Sequence, residues 1–259
     1  MEADFFLWDY CSSVVCGALF GDSIFGEVRD GTAIPALLEE YLGKEVFNAA
    51  MVGTCAARTE SDRRLDYPKG SLSLVGLSKA IYAGDFGVQQ SGFFRESMTE
   101  YFPEVLKGLQ SVDFSKVEMV LIQHGVNDYH GGVPLENPED PYDEYTFLGA
   151  LRGSGEALRK TNSQLRIVLI TPAYSWYLAE GMTCEEIDNG GGVLEEYVNA
   201  EIKLAKELGL EVIDLYHDFL PHESWEDYAL YTRDGVHPNE EGRMLWAEKI
   251  AHELGVSKE

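Results

Sequence analysis

Five short runs of aliphatic residues recur along the chain, with longer segments of helical periodicity between them. The runs are SVVCGALF (13–20), EVFNA (45–49), VEMVLIQHG (117–125), LRIVLITP (165–172) and EVIDLY (211–216). They lack the regular alternation of apolar and polar positions that marks a strand with one solvated face. Such uniformly apolar runs are typical of parallel strands that are buried on both faces of a sheet.

Four longer segments carry apolar residues at helical spacing. They are AIPALLEEYLG (33–43), EYTFLGALRGSGEALRKT (144–161), VLEEYVNAEIKLAKELG (193–209) and EEGRMLWAEKIAHELG (240–255). Strands that alternate with helices over a whole chain predict a single α/β domain, in which helices cover both faces of a mostly parallel sheet. We assign residues 13–259 to this domain and residues 1–12 to an N-terminal extension of unknown role.

Two loops interrupt this alternation. The segment GGVPLENPEDPYDE (131–144) holds three prolines and five carboxylates, and a glycine run follows at Gly190–Gly192. Long loops of this kind serve either as functional lids or as plain surface insertions, and the sequence leaves both interpretations open.

The charge balance narrows the range of partners. The 259 residues include 45 acidic and 20 basic side chains, for a formal net charge of -25. A field of this sign repels phosphate backbones and anionic membrane surfaces, so we expect neither nucleic-acid binding nor stable membrane association. The cysteines, Cys11, Cys16, Cys55 and Cys184, are too scattered for a disulfide scaffold and are expected to be small core residues.

The N-terminal stretch MEADFFLWDY carries acidic residues where a signal peptide needs a basic region. This composition predicts a cytoplasmic protein, although a secreted form whose signal was removed earlier stays open. The sequence does not indicate an oligomeric state.

Polar residues follow the aliphatic runs at four places. They are Gly21-Asp22-Ser23, residues 48–54, residues 125–128 and DGVHPNEEG (234–242). Open α/β sheets bind ligands beyond the carboxyl ends of their strands, so these segments are expected to lie near one another. Taken singly, each has a structural interpretation, such as a helix cap at Ser23 or a turn at Gly53.

Together these residues supply the parts of a serine nucleophile site. A serine hydroxyl needs a base that takes its proton, and the base works best when a third group holds its tautomer. Ser23 can be the nucleophile, His237 the base, and Asp234, three residues earlier, the group that orients it. The amide of Asn127 and the backbone N–H groups of Ser23 and Gly53 can stabilise an oxyanion.

The four segments also resemble the ordered blocks of the SGNH hydrolases, also called the GDSL esterase/lipase family. The matching residues are GDSI (21–24), NAAMVGT (48–54), GVND (125–128) and DGVH (234–237). Two positions depart from the family pattern: Ile24 replaces leucine, and Ala50 replaces a common glycine, which makes Gly53 the weakest match.

The resemblance implies a three-layer α/β/α sandwich with a mostly parallel five-stranded, flavodoxin-like sheet. It also implies a catalytic triad of Ser23, Asp234 and His237, an oxyanion hole formed by Ser23, Gly53 and Asn127, and no metal or organic cofactor.

Other residues compete for these roles. His124, His130, His217 and His222 are alternative bases. The first two are expected to shape the pocket or to form local hydrogen bonds, and the last two lie on a loop without an identifiable partner. Asp128 rivals Asp234, although we expect Asp128 and Asp22 to anchor backbone. The G-x-S-x-G elbow and zinc-type spacing are absent from the sequence.

The expected function is hydrolysis of a carboxylic ester through an acyl-enzyme on Ser23. The substrate is expected to be a short-chain, acetyl ester of a carbohydrate or small metabolite. Tyr174, Trp176 and Tyr177 follow the fourth run and form either a stacking wall for substrate or packing under a loop. Alternatives are a non-catalytic carbohydrate- or lipid-binding protein, an acyltransferase and a lysophospholipase.

Overall fold

The computed structural model describes residues 16–59, 67–92 and 99–256, so the proposed extension at residues 1–12 lies outside the described residues. Each of the five aliphatic runs contains one strand of a single parallel sheet. The strands are β1 (Gly17–Gly21), β2 (Val46–Asn48), β3 (Met119–Gln123), β4 (Arg166–Ile170) and β7 (Glu211–Ile213). A separate antiparallel hairpin joins β5 (Trp176–Tyr177) to β6 (Met182–Thr183).

Helices connect these strands. They are α1 (Ser23–Gly26), α2 (Ile34–Leu42), α3 (Leu74–Ala83), α4 (Gly87–Gln90), α5 (Phe102–Ser111), α6 (Val126–His130), α7 (Phe147–Thr161), α8 (Leu194–Leu208), α9 (Trp225–Tyr228) and α10 (Glu240–Glu253). The four predicted helices are confirmed as α2, α7, α8 and α10. Helix α3 was not predicted because most of its side chains are buried, which leaves no clear polar face.

The strand order β2-β1-β3-β4-β7 explains the layers. From β1 the chain crosses to β2 on one side, and it later passes through β3, β4 and β7 on the other side. Because such crossovers are right-handed, α2 lies on one face of the sheet, while α7 and α8 lie on the opposite face. Helix α10 packs on α2, and α3 packs on α7. The predicted three-layer α/β/α sandwich is therefore confirmed.

The reversal of direction at β1 opens a crevice beyond its carboxyl end, where doubly wound sheets hold their ligands. All five residues of β1 are buried, so the strand is a rigid base for the turn that follows it.

Two expectations from composition can also be compared with the structure. Cys55 and Cys184 are buried and Cys16 is half-buried, as expected of core residues, whereas Cys11 lies outside the described residues. Among the helices of the described ranges, none combines the length and the apolar character needed to cross a bilayer.

Candidate active site

The turn that follows β1 carries Ser23 at the start of α1. Asp22 is fully buried, and its Oδ1 accepts a hydrogen bond from the N–H of Ile24 at 3.0 Å, which caps the helix. Burial raises the pKa of Asp22 to about 7, against the lowering effect of this bond. Asp22 therefore anchors backbone, as expected, and Ser23 remains half-buried at the end of the sheet.

His237 lies between the serine and a carboxylate. Its Nε2 is 2.9 Å from the Oγ of Ser23, and its Nδ1 is 2.8 Å from the Oδ2 of Asp234. The other carboxylate oxygen of Asp234 accepts the backbone N–H groups of Val236 at 3.0 Å and His237 at 2.8 Å. The local D-G-V-H turn therefore fixes the imidazole, and the fold brings it to a serine 214 residues away in sequence.

Glycine is required inside this turn. Gly235 has a φ of +89°, and a Cβ there would lie 2.1 Å from the carbonyl oxygen of Trp176. This close approach allows a hydrogen bond between the two segments, in which the N–H of Trp176 donates to the carbonyl of Gly235 at 2.9 Å.

The carboxylate of Asp234 is held in its charged form. Partial burial by itself would raise the pKa of Asp234, but the N–H of His237, the imidazole and the N–H of Val236 outweigh it and lower the pKa. A charged carboxylate at Nδ1 keeps Nε2 available to accept a proton from Ser23.

The turn that contains Gly53 is tied to the serine turn. The N–H of Met51 and the hydroxyl of Thr54 both donate to the carbonyl of Gly21, at 3.0 and 3.2 Å. The side-chain amide of Asn127 donates to the carbonyl of Thr54 at 3.1 Å. Gly53 itself has a φ of +68°. The structure thus gathers Ser23, Gly53 and Asn127 around one strand end.

Within the described residues, the backbone N–H groups of Ser23 and Gly53 donate to no protein acceptor. Donors that are already oriented and not yet engaged are what a developing oxyanion requires.

Asp128 has a different role from Asp234. It is completely buried, and its two carboxylate oxygens accept the N–H groups of Ala56 and Ala57, each at 2.9 Å. Burial raises the pKa of Asp128 to about 6, although these two bonds lower it. The side chain anchors the segment after Gly53 on α6 and makes no bond to His237.

The other histidines lie in surroundings that differ from those of His237. His124 is buried, its Nδ1 has no hydrogen-bond partner among the described residues, and burial lowers its pKa to about 3. The expectation that His217 and His222 have no identifiable partner was wrong. His217 Nδ1 lies 2.8 Å from Oδ2 of Asp214, and the His222 ring stacks on Tyr174 at 4.1 Å between centroids. The sequence carried a signal for His217, because D-L-Y-H repeats the spacing of D-G-V-H.

The three aromatic residues occupy different places. Tyr174 is buried and stacks on His222, and together with half-buried Trp176 it borders a cavity of about 500 Å³. Tyr177 instead reaches towards α6, where its hydroxyl lies 2.8 Å from Nε2 of His130. Ser23 does not line that cavity, so the three residues do not form one continuous wall with the serine.

A metal site finds no support in the part of the chain that the structure describes, where no group of three or more His, Cys, Asp or Glu side chains is placed to hold an ion.

Comparisons with known proteins find a family and a curated relative that are similar to this chain. The GDSL-like Lipase/Acylhydrolase family matches residues 19–245. The Isoamyl acetate-hydrolyzing esterase 1 homolog of Mus musculus is 31% identical over 125 residues, which are 46% of this chain and 48% of that protein. The matched segment therefore spans about half the length of this curated relative.

Solved structures share the fold. A protein from Lactobacillus plantarum has a TM-score of 0.67 and 18% identity, and the match covers 95% of this chain and 98% of that one. A G-D-S-L family protein from Desulfitobacterium hafniense DCB-2 has a TM-score of 0.52 and 17% identity, with coverage of 92% and 99%. The match of the family over most of the sequence decides the assignment. The chain belongs to the GDSL-like lipase/acylhydrolase family.

Proposed function

We propose that this protein is a serine esterase that hydrolyses short-chain carboxylic esters, with Ser23 as nucleophile, His237 as base and Asp234 as the residue that orients the base. The observation that carries the proposal is the continuous series of contacts from Ser23 Oγ to His237 Nε2, at 2.9 Å, and from His237 Nδ1 to Asp234 Oδ2, at 2.8 Å. Such a series activates a hydroxyl that is otherwise a weak nucleophile.

The reaction proceeds in two steps. Ser23 Oγ attacks the ester carbonyl while His237 Nε2 takes the hydroxyl proton, and the tetrahedral oxyanion is held by Asn127 and the two free N–H groups. His237 then gives its proton to the alcohol oxygen, and the C–O bond breaks. A water molecule loses a proton to His237 and attacks the acyl-enzyme, and the bond between the acyl carbon and Ser23 Oγ breaks. His237 returns its proton to Oγ, which releases the acid and restores the serine hydroxyl.

One of the three donors of the proposed oxyanion hole already has a protein acceptor. The Asn127 amide donates to the carbonyl of Thr54 in this structure, while the N–H groups of Ser23 and Gly53 have no protein acceptor. The side-chain amide of Asn127 carries two N–H donors, so one can keep the bond to Thr54 while the second donates to an oxyanion.

The proposed substrate is an acetyl ester of a carbohydrate or small alcohol. The name of the mouse relative describes hydrolysis of an acetate ester of a small alcohol, which supports the short acyl group. Tyr177 and Trp176 remain candidates for contact with the alcohol part, and Tyr174 for support behind them. The net charge of -25 favours neutral or cationic alcohols over phosphorylated ones.

A fluorophosphonate reagent tests the nucleophile directly. We expect wild-type protein to be labelled, Ser23→Ala to lose labelling together with at least about a thousandfold of esterase activity, and the exposed Ser111→Ala to behave as wild type. A folded Ser23→Ala variant with unchanged turnover contradicts the assignment. Absence of labelling in folded wild-type protein favours a non-catalytic binding protein.

The acyl group is tested with nitrophenyl esters of increasing chain length. The highest kcat/KM is expected for acetate. A preference for long chains would instead indicate a lysophospholipase type of substrate. Addition of alcohol acceptors to the same assay distinguishes hydrolysis from acyl transfer, because a transferase forms a new ester in place of free acid.

A further inference from the structure

A histidine and a tyrosine outside the proposed triad meet beside it. His130 is the last residue of α6, and Tyr177 belongs to the β5–β6 hairpin. His130 Nε2 and the Tyr177 hydroxyl are 2.8 Å apart, and their ring planes are inclined at 69°. Because His130 follows Asn127 by three residues on one short helix, both side chains project from the same side of it.

The pair adjoins the proposed base. The hairpin is bonded to the catalytic turn, since the N–H of Trp176 donates to the carbonyl of Gly235. The pKa of His130 is lowered first by loss of solvation and then by the charge of His237, which indicates that the two imidazoles are close. The hairpin therefore links the helix that carries Asn127 to the turn that carries His237.

The proposed reaction indicates which part of an ester substrate would lie beside His130 and Tyr177. The alcohol oxygen receives its proton from His237 Nε2, so groups next to His237 border the alcohol and not the acyl chain. A neutral imidazole has one donor and one acceptor, and a phenol has one donor and at least one acceptor. The Tyr177 hydroxyl also lies within hydrogen-bonding reach of the side chains of Ser175 and Tyr129. The second ring nitrogen of His130, Nδ1, has no partner among the described residues, so it can donate a hydrogen bond to a ligand or accept one from it, according to the tautomer.

We propose that His130 and Tyr177 form a specificity site that binds a hydroxyl group on the alcohol part of the ester, which makes acetyl esters of hydroxylated alcohols the preferred substrates. This inference rests on the proposed esterase function. A hydroxyl can both donate and accept, so it matches the free nitrogen of His130 in either tautomer, whereas a hydrocarbon would remove this nitrogen from water without replacing its hydrogen bond.

The test compares two esters with the same acyl group. Glycerol monoacetate and propyl acetate form the same acetyl-enzyme, so a difference in kcat/KM reports on the alcohol alone. Wild-type protein is expected to prefer glycerol monoacetate. Tyr177→Phe keeps the ring and removes the hydroxyl, and it is expected to lower kcat/KM for glycerol monoacetate about five- to tenfold while propyl acetate changes by less than about twofold.

Control variants separate recognition from a structural effect. Tyr82→Phe removes the hydroxyl of a tyrosine that is 54% exposed on α3 and should change neither rate. His130→Leu should repeat the selective loss, and His130→Gln, which keeps an amide donor and acceptor, should recover part of the preference. Variants are compared only after their thermal unfolding has been shown to match that of wild type.

Each alternative outcome contradicts a different statement. Equal losses on both esters mean that the pair only holds the hairpin, and unchanged rates on both mean that it does not contact substrate; either result overturns the specificity site. Wild-type protein that hydrolyses both esters equally also overturns it and leaves the esterase proposal intact. Wild-type protein that hydrolyses no ester overturns the proposed function itself.

Discussion

Two turns in this protein have the same local structure and different surroundings. Asp214 and His217 form one, and Asp234 and His237 form the other. In both, Nδ1 of the histidine lies 2.8 Å from Oδ2 of the aspartate, and Oδ1 accepts the N–H groups of the histidine and of the residue before it. In both, partial burial would raise the aspartate pKa, and the hydrogen bonds lower it. An oriented histidine is thus a local product of the D-x-x-H sequence.

The difference lies at the other imidazole nitrogen. Nε2 of His237 faces Ser23 Oγ at 2.9 Å, whereas Nε2 of His217 is 3.8 Å from a carboxylate oxygen of Glu195. Strand β7, which leads to Asp214, is separated from β1 by two other strands. Among the described residues, the Asp214 turn therefore has a carboxylate that orients its histidine but no serine hydroxyl at Nε2, and the arrangement of the sheet distinguishes the two turns.

Replacement of the two histidines is expected to give the largest difference in activity between the two turns. His237→Gln is expected to reduce kcat/KM for an acetate ester by about 10⁴- to 10⁶-fold, because no base remains to take the serine proton. His217→Gln is the matched control and should stay within about twofold of wild type. Comparable losses in the two variants, measured on folded protein, would show that both turns serve the reaction.

Replacement of the two aspartates should change activity less, and again only the substitution in the Asp234 turn should lower it. Asp234→Asn is expected to lower kcat/KM by about 10³- to 10⁴-fold, since an amide at Nδ1 favours the wrong imidazole tautomer. Asp214→Asn should leave activity unchanged and lower thermal stability, because it replaces the charged Oδ2 that faces Nδ1 of His217 with an amide nitrogen. A rate for Asp234→Asn near that of wild type would favour another acid.

The proposed oxyanion donors lie beside Ser23, near the Asp234 turn, and replacement of Asn127 tests the contribution of one of them. Asn127→Ala is expected to lower kcat by about 10²- to 10³-fold with a smaller change in KM, because the amide acts mainly on the developing charge. The exposed Asn199→Ala on α8 is the control. A change confined to KM would assign Asn127 to substrate binding in the ground state.

Replacement of Glu201 on α8, whose carboxyl group lies near Asp214, is expected to have the smallest effect on activity. This side chain is fully buried, and neither of its carboxylate oxygens has a hydrogen-bond partner among the described residues. Burial, followed by the charges of Asp128 and Asp214, raises its pKa well above the usual range. The folded protein then holds a proton that the unfolded chain releases above about pH 4.3. Stability is therefore lost as the pH rises from there towards the folded pKa.

Replacement of Glu201 makes this loss measurable. Glu201→Gln does not titrate, so its free energy of unfolding should exceed that of wild type by a margin that grows with pH by up to about 1.4 kcal/mol per unit within this window. Urea unfolding between pH 4 and pH 8 measures the margin, with exposed Glu248→Gln as control. A constant difference across this range would show that Glu201 is charged in the folded state.

Most of the fold could be predicted from the sequence because its elements repeat simple patterns. The three central strands, β1, β3 and β4, are mostly buried and apolar, and the edge strands β2 and β7 lie in runs of the same kind although only one residue of each is buried. Helices α2, α7, α8 and α10 have buried and exposed faces. Helix α3 was not predicted because most of its side chains are buried, and the β5–β6 hairpin was not predicted because two-residue strands are too short to show a period. The partner of His217 was missed although its spacing was visible.

Bonds between near neighbours in sequence account for the local parts of the site: the carboxylate three residues before His237 and before His217, the glycine that permits the turn at Gly235, and the aspartate that caps the helix beginning at Ser23. That His237 and not His217 contacts Ser23 depends on the tertiary structure. The packing of α10 on α2, the bond from Arg243 to the carbonyl of Thr32 and the ion pair between Arg233 and Glu27 bring one turn to the end of β1. Contacts over some two hundred residues are settled by the burial of whole helices and strands, to which the four residues of a D-x-x-H turn contribute little.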